Sequence, residues 1–217
     1  MYTKAIEDYL KAVFSLQREN QIVTTKLIAK KLNVSPPSVT EMVKNLVQKK
    51  LLLYKPYKGV KLTSRGRKEA LRIIRAHRLI ESFLVEVLDV PWETVHQEAE
   101  KWEHVISEDI LDRIEKKLNY PANDPHGAQI PSREGGFEDQ KLRTLCSLKA
   151  GQAGIVREVN DTDPELLEYL TEIDLKPGVK FSVKDISASG GFMRIKLNNE
   201  DRFIGLKASE KIFVMII

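Results

Sequence analysis

Between Asn119 and about Phe137 this chain has little room for a regular element, because Pro121, Asp124-Pro125-His126-Gly127, Pro131 and Gly135-Gly136 interrupt it every few residues. The break divides the 217 residues into two kinds of pattern. Ahead of it, apolar residues recur at helical spacing. Behind it, over 147–217, short apolar runs are separated by glycine turns, the pattern of a small β-barrel. The expected fold class is mainly α with small β modules. Residues 119–137 read as a linker or extended arm, with His126 as a turn residue.

The front of the chain is the most specific part. Residues 3–18 read as an amphipathic helix that buries Ile6, Leu10, Val13 and Phe14, with Asp8 near its start, where the helix dipole favours a carboxylate. A short helix with a Thr cap spans 24–32, Asn33-Val34-Ser35 turns, and Ser35 caps a helix opened by Pro36 or Pro37. Leu51–Lys55 and Val60–Thr63 are strands joined through Tyr57-Lys58-Gly59, a hairpin with a basic tip. Helix, helix, turn, helix, hairpin is the order of a winged helix-turn-helix, whose second paired helix enters the DNA major groove. Ser35, Pro37, Ser38, Thr40 and Glu41 then face base edges, while Lys44, Tyr57, Lys58, Arg65 and Arg67 are placed for phosphates.

Charge supports this division. Residues 1–75 hold 17 Lys/Arg against 5 Asp/Glu, a net +12, whereas 76–125 carry a net −7. A polyanion-binding module therefore precedes a cation-binding one.

The acidic segment holds the chemistry. His96-Gln97-Glu98-Ala99-Glu100-Lys101-Trp102-Glu103-His104 contains no Gly or Pro and reads as a helix that lines up His96, Glu100 and His104 on one face, with Glu103 beside His104. A long helix from Thr63 to about Asp89 carries a second pair one turn apart, His77 and Glu81. Imidazoles and carboxylates projecting together suit a divalent first-row metal. The zinc motifs HExxH and HxxEH do not fit, since Glu100 stands where each requires a second His. The same ligands could serve a metal-dependent phosphoester hydrolase with a nucleic-acid-binding N-terminus. Against that reading, the sequence offers neither a separate nucleophile nor a Gly-rich phosphate loop.

With a single cysteine, Cys146, no internal disulfide forms, which fits a reducing compartment. No signal-like segment or bilayer-length apolar run is present, so a cytoplasmic protein with no membrane partner is expected.

The order of these parts resembles the DtxR/MntR family of bacterial metal-dependent repressors. The resemblance is carried by Val34-Ser35-Pro36-Pro37-Ser38-Val39-Thr40, Leu62-Thr63-Ser64-Arg65-Gly66, Ala76-His77-Arg78-Leu79-Ile80-Glu81, Val95–His104, Asp124-Pro125-His126-Gly127 and Ile130-Pro131. It implies a winged helix-turn-helix over 1–72, a helical metal-binding and dimerisation domain with the arm over 73–137, and an SH3-like (FeoA-like) barrel over 147–217. It further implies a homodimer that binds palindromic operator DNA when activated by Mn(II) or Fe(II), typically repressing metal uptake. By position, the primary site is Asp8, Glu100, Glu103 and His104, and the ancillary site is His77, Glu81 and His96, completed from the barrel by Asp163 or Glu165. Iron-responsive members place Met and Cys at the positions of Asp8 and Glu100, so hard oxygen donors here favour Mn(II). Lys11 stands where short manganese regulators carry a Glu that helps to bind two ions, which favours separated mononuclear sites.

Overall fold

The computed structural model describes residues 2–19, 21–138 and 140–217. The chain forms two compact units: Met1–His77 with Glu103–Ile106 and Pro131–Phe137, and Arg78–Trp102 with Ser107–Ile130 and Glu138–Ile217.

The first unit contains α1 (Lys4–Glu19), α2 (Thr25–Leu32), α3 (Pro36–Gln48), β1 (Leu52–Lys55), β2 (Gly59–Leu62) and the first half of α4 (Ser64–Leu88). The helix boundaries follow from their caps. Thr24 Oγ1 accepts the Leu27 N–H at 3.2 Å, and Asn33 closes α2 in the left-handed region that Asn tolerates. Ser35 Oγ accepts the Ser38 N–H at 3.4 Å, with Pro36 and Pro37 in the first turn of α3. Leu10, Val13, Ile28, Val39, Leu46 and Leu51 are fully buried together in one core. The wing pairs antiparallel, Leu52 opposite Leu62, and Val60 adds a bond from its N–H to the Val23 carbonyl at 2.8 Å. Thr63 starts α4, its Oγ1 accepting the Gly66 N–H at 2.9 Å. A Cβ on Gly66 would stand 2.0 Å from the Leu51 carbonyl oxygen, so only glycine lets helix and strand approach this closely. The end of the arm is not a free linker, since Phe137 meets Phe14 of α1 edge-on at 5.4 Å.

The second unit holds the rest of α4, α5 (Val95–Trp102), α6 (Glu108–Lys117) and a six-stranded antiparallel sheet. Its strands are β3 (Arg143–Thr144), β4 (Ala153–Val159), β5 (Lys180–Ser187), β6 (Phe192–Leu197), β7 (Glu200–Gly205) and β8 (Ile212–Ile216), in the order β3-β8-β4-β5-β6-β7. Bulges at Val156/Glu158 and Val183/Asp185 increase its twist, as the tight curl of a small barrel requires. Val156, Phe181, Val183, Ile195, Ile204 and Val214 form the sheet's core, with Leu167 and Leu170 of α7 (Pro164–Glu172). The short helix α8 (Leu206–Ser209) links β7 to β8.

Two elements depart from the sequence reading. The polar run Glu200-Asp201-Arg202 hides the edge strand β7, which buries Ile204 and leaves Phe203 exposed. More important for function, α5 ends at Trp102, and Glu103 and His104 lie in the turn beyond it. His104 therefore does not continue the helical face of His96 and Glu100.

Candidate metal centres and DNA-binding face

The early end of α5 turns Glu103 and His104 toward α1 within the first unit. His104 Nδ1 donates to Glu7 Oε2 at 2.7 Å, which leaves Nε2 facing Asp8 Oδ1 at 3.0 Å and Glu103 Oε1 at 3.2 Å. One ligand atom from each of Asp8, Glu103 and His104 lies within 4.8 Å of the others. Glu103 is fully buried; its Oε2 accepts from His77 Nδ1 at 2.5 Å, and Lys11 Nζ donates to both its oxygens, at 2.8 and 2.9 Å. Burial alone raises a carboxyl pKa, but His77 and Lys11 outweigh it and hold Glu103 below its usual value. Asp8 goes the other way: partial burial lifts it, against the pull of His104 and Lys11. Glu7, buried behind His104, is held by Arg72 Nη2 at 2.5 Å. Three carboxylates around the His104 imidazole, balanced by Lys11 and Arg72, form a hard-donor set suited to a divalent ion.

The second unit contains two further groups that share Glu81. In one, His96 Nδ1 lies 3.4 Å from Glu81 Oε1 and 3.3 Å from Asp161 Oδ2. Burial depresses the basicity of His96, but the hydrogen bonds to Asp161 and Glu81 prevail and push its pKa up to about 10. In the other, Glu81, Asp124 and His126 are all buried, with ligand atoms within 4.8 Å of one another. His126 Nε2 donates to the Trp92 carbonyl at 2.8 Å, leaving Nδ1 3.7 Å from Glu81 Oε2. A backbone carbonyl that orients one imidazole nitrogen so that the other faces a carboxylate is the usual arrangement behind a metal-ligating histidine. Among the described residues, His126 Nδ1 and Asp124 Oδ2 have no hydrogen-bond partner, although Arg78 Nε stands 3.4 Å from the latter. Burial and the neighbouring Glu81 charge lift Asp124 to about 7. His126 rises to about 9, where Glu81 overcomes the burial that would lower it.

Not every residue singled out from the sequence joins these groups. Glu100 remains on α5, half exposed, 3.7 Å from His96 Nε2. Asp163 caps α7 through the Leu166 N–H at 3.2 Å and pairs with Lys211 at 2.5 Å, and Glu165 is exposed in the first turn of α7. The side chain that reaches His96 is Asp161, ahead of both expected residues, Asp163 and Glu165. His77 precedes Glu81 by one turn of α4 and bonds Glu103. His126 does occupy a turn, as expected, but its side chain is buried against Glu81. Glu7, Asp124 and Asp161 were missed. Only the placement of Glu7 one residue before Asp8 hinted at a role.

On the opposite chemistry, Ser35 at the cap of α3 and Pro37, Ser38, Thr40, Glu41 and Lys44 along it are all exposed, and Tyr57 and Lys58 stand at the wing tip with Tyr57 wholly exposed. Thr40 Oγ1 donates to the Pro36 carbonyl at 3.0 Å. Arg65 donates to the Tyr2 hydroxyl at 2.8 Å, and Arg67 lies over the Phe14 ring at 5.1 Å, so both are exposed yet already oriented.

A chain that carries both a winged helix and buried carboxylate–histidine clusters has the parts of a metal-dependent DNA-binding regulator. Family models match along the chain: the N-terminal DNA-binding domain of iron dependent repressors over residues 1–60, their metal binding and dimerisation domain over 63–132, and the FeoA domain over 143–216. The chain is 34% identical over 196 residues to the iron-dependent repressor IdeR of Mycobacterium tuberculosis, covering 85% of each. It is 36% identical over 124 residues to the regulator MntR of Oceanobacillus iheyensis, covering 57% of this chain and 84% of that one. Among solved structures, a manganese-dependent transcriptional repressor in complex with manganese matches with a TM-score of 0.91 at 31% identity, covering 98% of this chain and all of that one. ScaR with bound zinc matches at 0.83 and 33% identity, covering 98% and 99%. The chain belongs to the DtxR/MntR family of iron- and manganese-dependent repressors, which are transcription factors and not enzymes. The hydrolase reading is thereby set aside. Among the described residues no helix is long and apolar enough to cross a membrane.

Proposed function

We propose that this protein is a cytoplasmic, Mn(II)-activated repressor, with Fe(II) as a second activator, that binds a palindromic operator as a homodimer and controls metal uptake. The observation that carries the reading is the convergence of Asp8, on the first helix of the DNA-binding fold, with Glu103 and His104 from the turn after α5. An ion held by all three ties α1 to that turn and restrains the orientation of α3. Without it the three donors lose a common partner, and orientations that fit successive major grooves become rarer. Mn(II) is favoured because the converging donors are oxygen and imidazole, without thiolate. Glu100 serves as a fourth primary ligand. The ancillary centre is built on Glu81, with His77, His96 and Asp161 or with Asp124 and His126 as its partners; Asp163, which caps α7, supports the loop that carries Asp161. The working segments are 1–72, 73–137 and 147–217, the last bracing the dimer.

The test is Asp8→Ala, which should leave the melting temperature nearly unchanged and abolish the Mn(II)-stimulated shift of operator DNA. Full metal response in that variant removes the proposed linkage. The DNA face has its own check. Because Lys44 faces the phosphates, Lys44→Ala should lower the slope of log affinity against log salt by about 1. An unchanged slope takes Lys44 off the DNA.

A further inference from the structure

Lys11 sits on α1 one turn after Glu7 and Asp8, on the face that meets Glu103. A carboxylate offers about four lone-pair directions, two per oxygen. On Glu103, Oε1 meets Lys11 Nζ at 2.8 Å and His104 Nε2 at 3.2 Å, while Oε2 meets Lys11 Nζ at 2.9 Å and His77 Nδ1 at 2.5 Å. Lys11 Nζ thus engages both oxygens of Glu103. An ion that takes either oxygen as a ligand competes with these partners. His104 is itself a candidate ligand and turns to the ion without leaving, and His77 is buried. The Lys11 side chain is 22% exposed and ends a flexible four-carbon stem that can carry its ammonium into water.

We propose that Lys11 is an internal competitor for the activating ion: its ammonium occupies Glu103 in the metal-free protein and sets the metal concentration at which the repressor responds. The inference rests on Glu103 being a metal ligand. It differs from a purely structural role in its sign, since removing a structural contact weakens a site and removing a competitor strengthens it.

The experiment is a Mn(II) titration of DNA-free protein, with free Mn(II) followed by electron paramagnetic resonance. The centre is identified as the one lost in Glu103→Gln. Lys11→Met, which keeps the apolar stem, should bind Mn(II) at least about tenfold more tightly than the natural protein, and Lys11→Arg, which keeps the charge, should stay within about threefold. Lys11→Gln serves as a second neutral variant should the methionine form fail to fold. Wild-type or weaker affinity in the folded neutral variant overturns the inference while leaving the metal-site assignment intact. If Glu103→Gln itself retains wild-type Mn(II) binding, the ligand assignment fails and this inference fails with it.

Discussion

Glu7 is not among the expected ligands of the ion, yet its loss should weaken metal binding severely. Its Oε2 accepts the Nδ1–H of His104 at 2.7 Å, which aims Nε2 at Asp8 and Glu103. Removing such an orienting carboxylate costs about 10- to 100-fold in metal affinity, or about 1.4–2.8 kcal/mol. Charge adds a second effect. An ion on Nε2 would lie about 6–7 Å from the Glu7 carboxylate, an attraction of about 5 kcal/mol at an effective dielectric of 20. Arg72, 2.5 Å from Glu7 Oε1, opposes this by roughly 4 kcal/mol from its greater distance, so the Glu7–Arg72 pair contributes only about 1 kcal/mol net. Orientation therefore decides the outcome when both residues are removed, and repulsion from Arg72 is added when only Glu7 is. Glu7→Ala should bind Mn(II) at least about tenfold more weakly in an isothermal titration, and Glu7→Ala/Arg72→Ala should recover part of the loss. The reasoning is refuted if Glu7→Ala binds within twofold of the natural protein, or if the double variant binds more weakly than the single one.

Two other predictions concern the second unit. With pKa values near 10 and 9, His96 and His126 both carry a proton at neutral pH, and an ion that binds either must release it. Affinity at that centre should rise about tenfold per pH unit per proton released and fall as the solution is acidified; titrations in buffers of different ionisation enthalpy that reveal no proton release contradict this. Gly127 has φ +89°, and a Cβ there would stand 1.9 Å from the Arg157 carbonyl oxygen. Gly127→Ala should cost at least about 2 kcal/mol, from the left-handed strain plus the backbone clash, and lower the melting temperature by roughly 4–8 °C. An unchanged melting curve would mean that the Asp124–Gly127 turn is not held as described.

The parts of this molecule governed by local chemistry were legible in the sequence. The Ser35 cap with Pro36-Pro37, the Thr63 start of α4 and the basic wing all follow from residues within a few positions of one another. Tertiary choices were hidden. Nothing in His96–His104 marks Trp102 as the last helical residue, because the helix ends where Glu103 and His104 find partners on α1 nearly a hundred residues earlier. That Asp161, and neither Asp163 nor Glu165, reaches His96 was hidden for a related reason. Asp161 and Asp163 stand in the same loop, and only the folded structure shows that Asp163 caps α7 while Asp161 reaches His96. His126 was obscured by its proline- and glycine-rich surroundings, which announce a turn but not the buried direction of its ring.

Glu81 belongs to both donor groups of the second unit. A single side chain that serves two neighbouring positions makes them poor candidates for independent tuning. Shortening it to Asp would withdraw an oxygen from each at once, whereas altering His96 or His126 reshapes one and spares the other. Variation that adapts this centre to a different ion is therefore channelled into the outlying imidazoles and carboxylates, with the shared glutamate as the pivot about which they change.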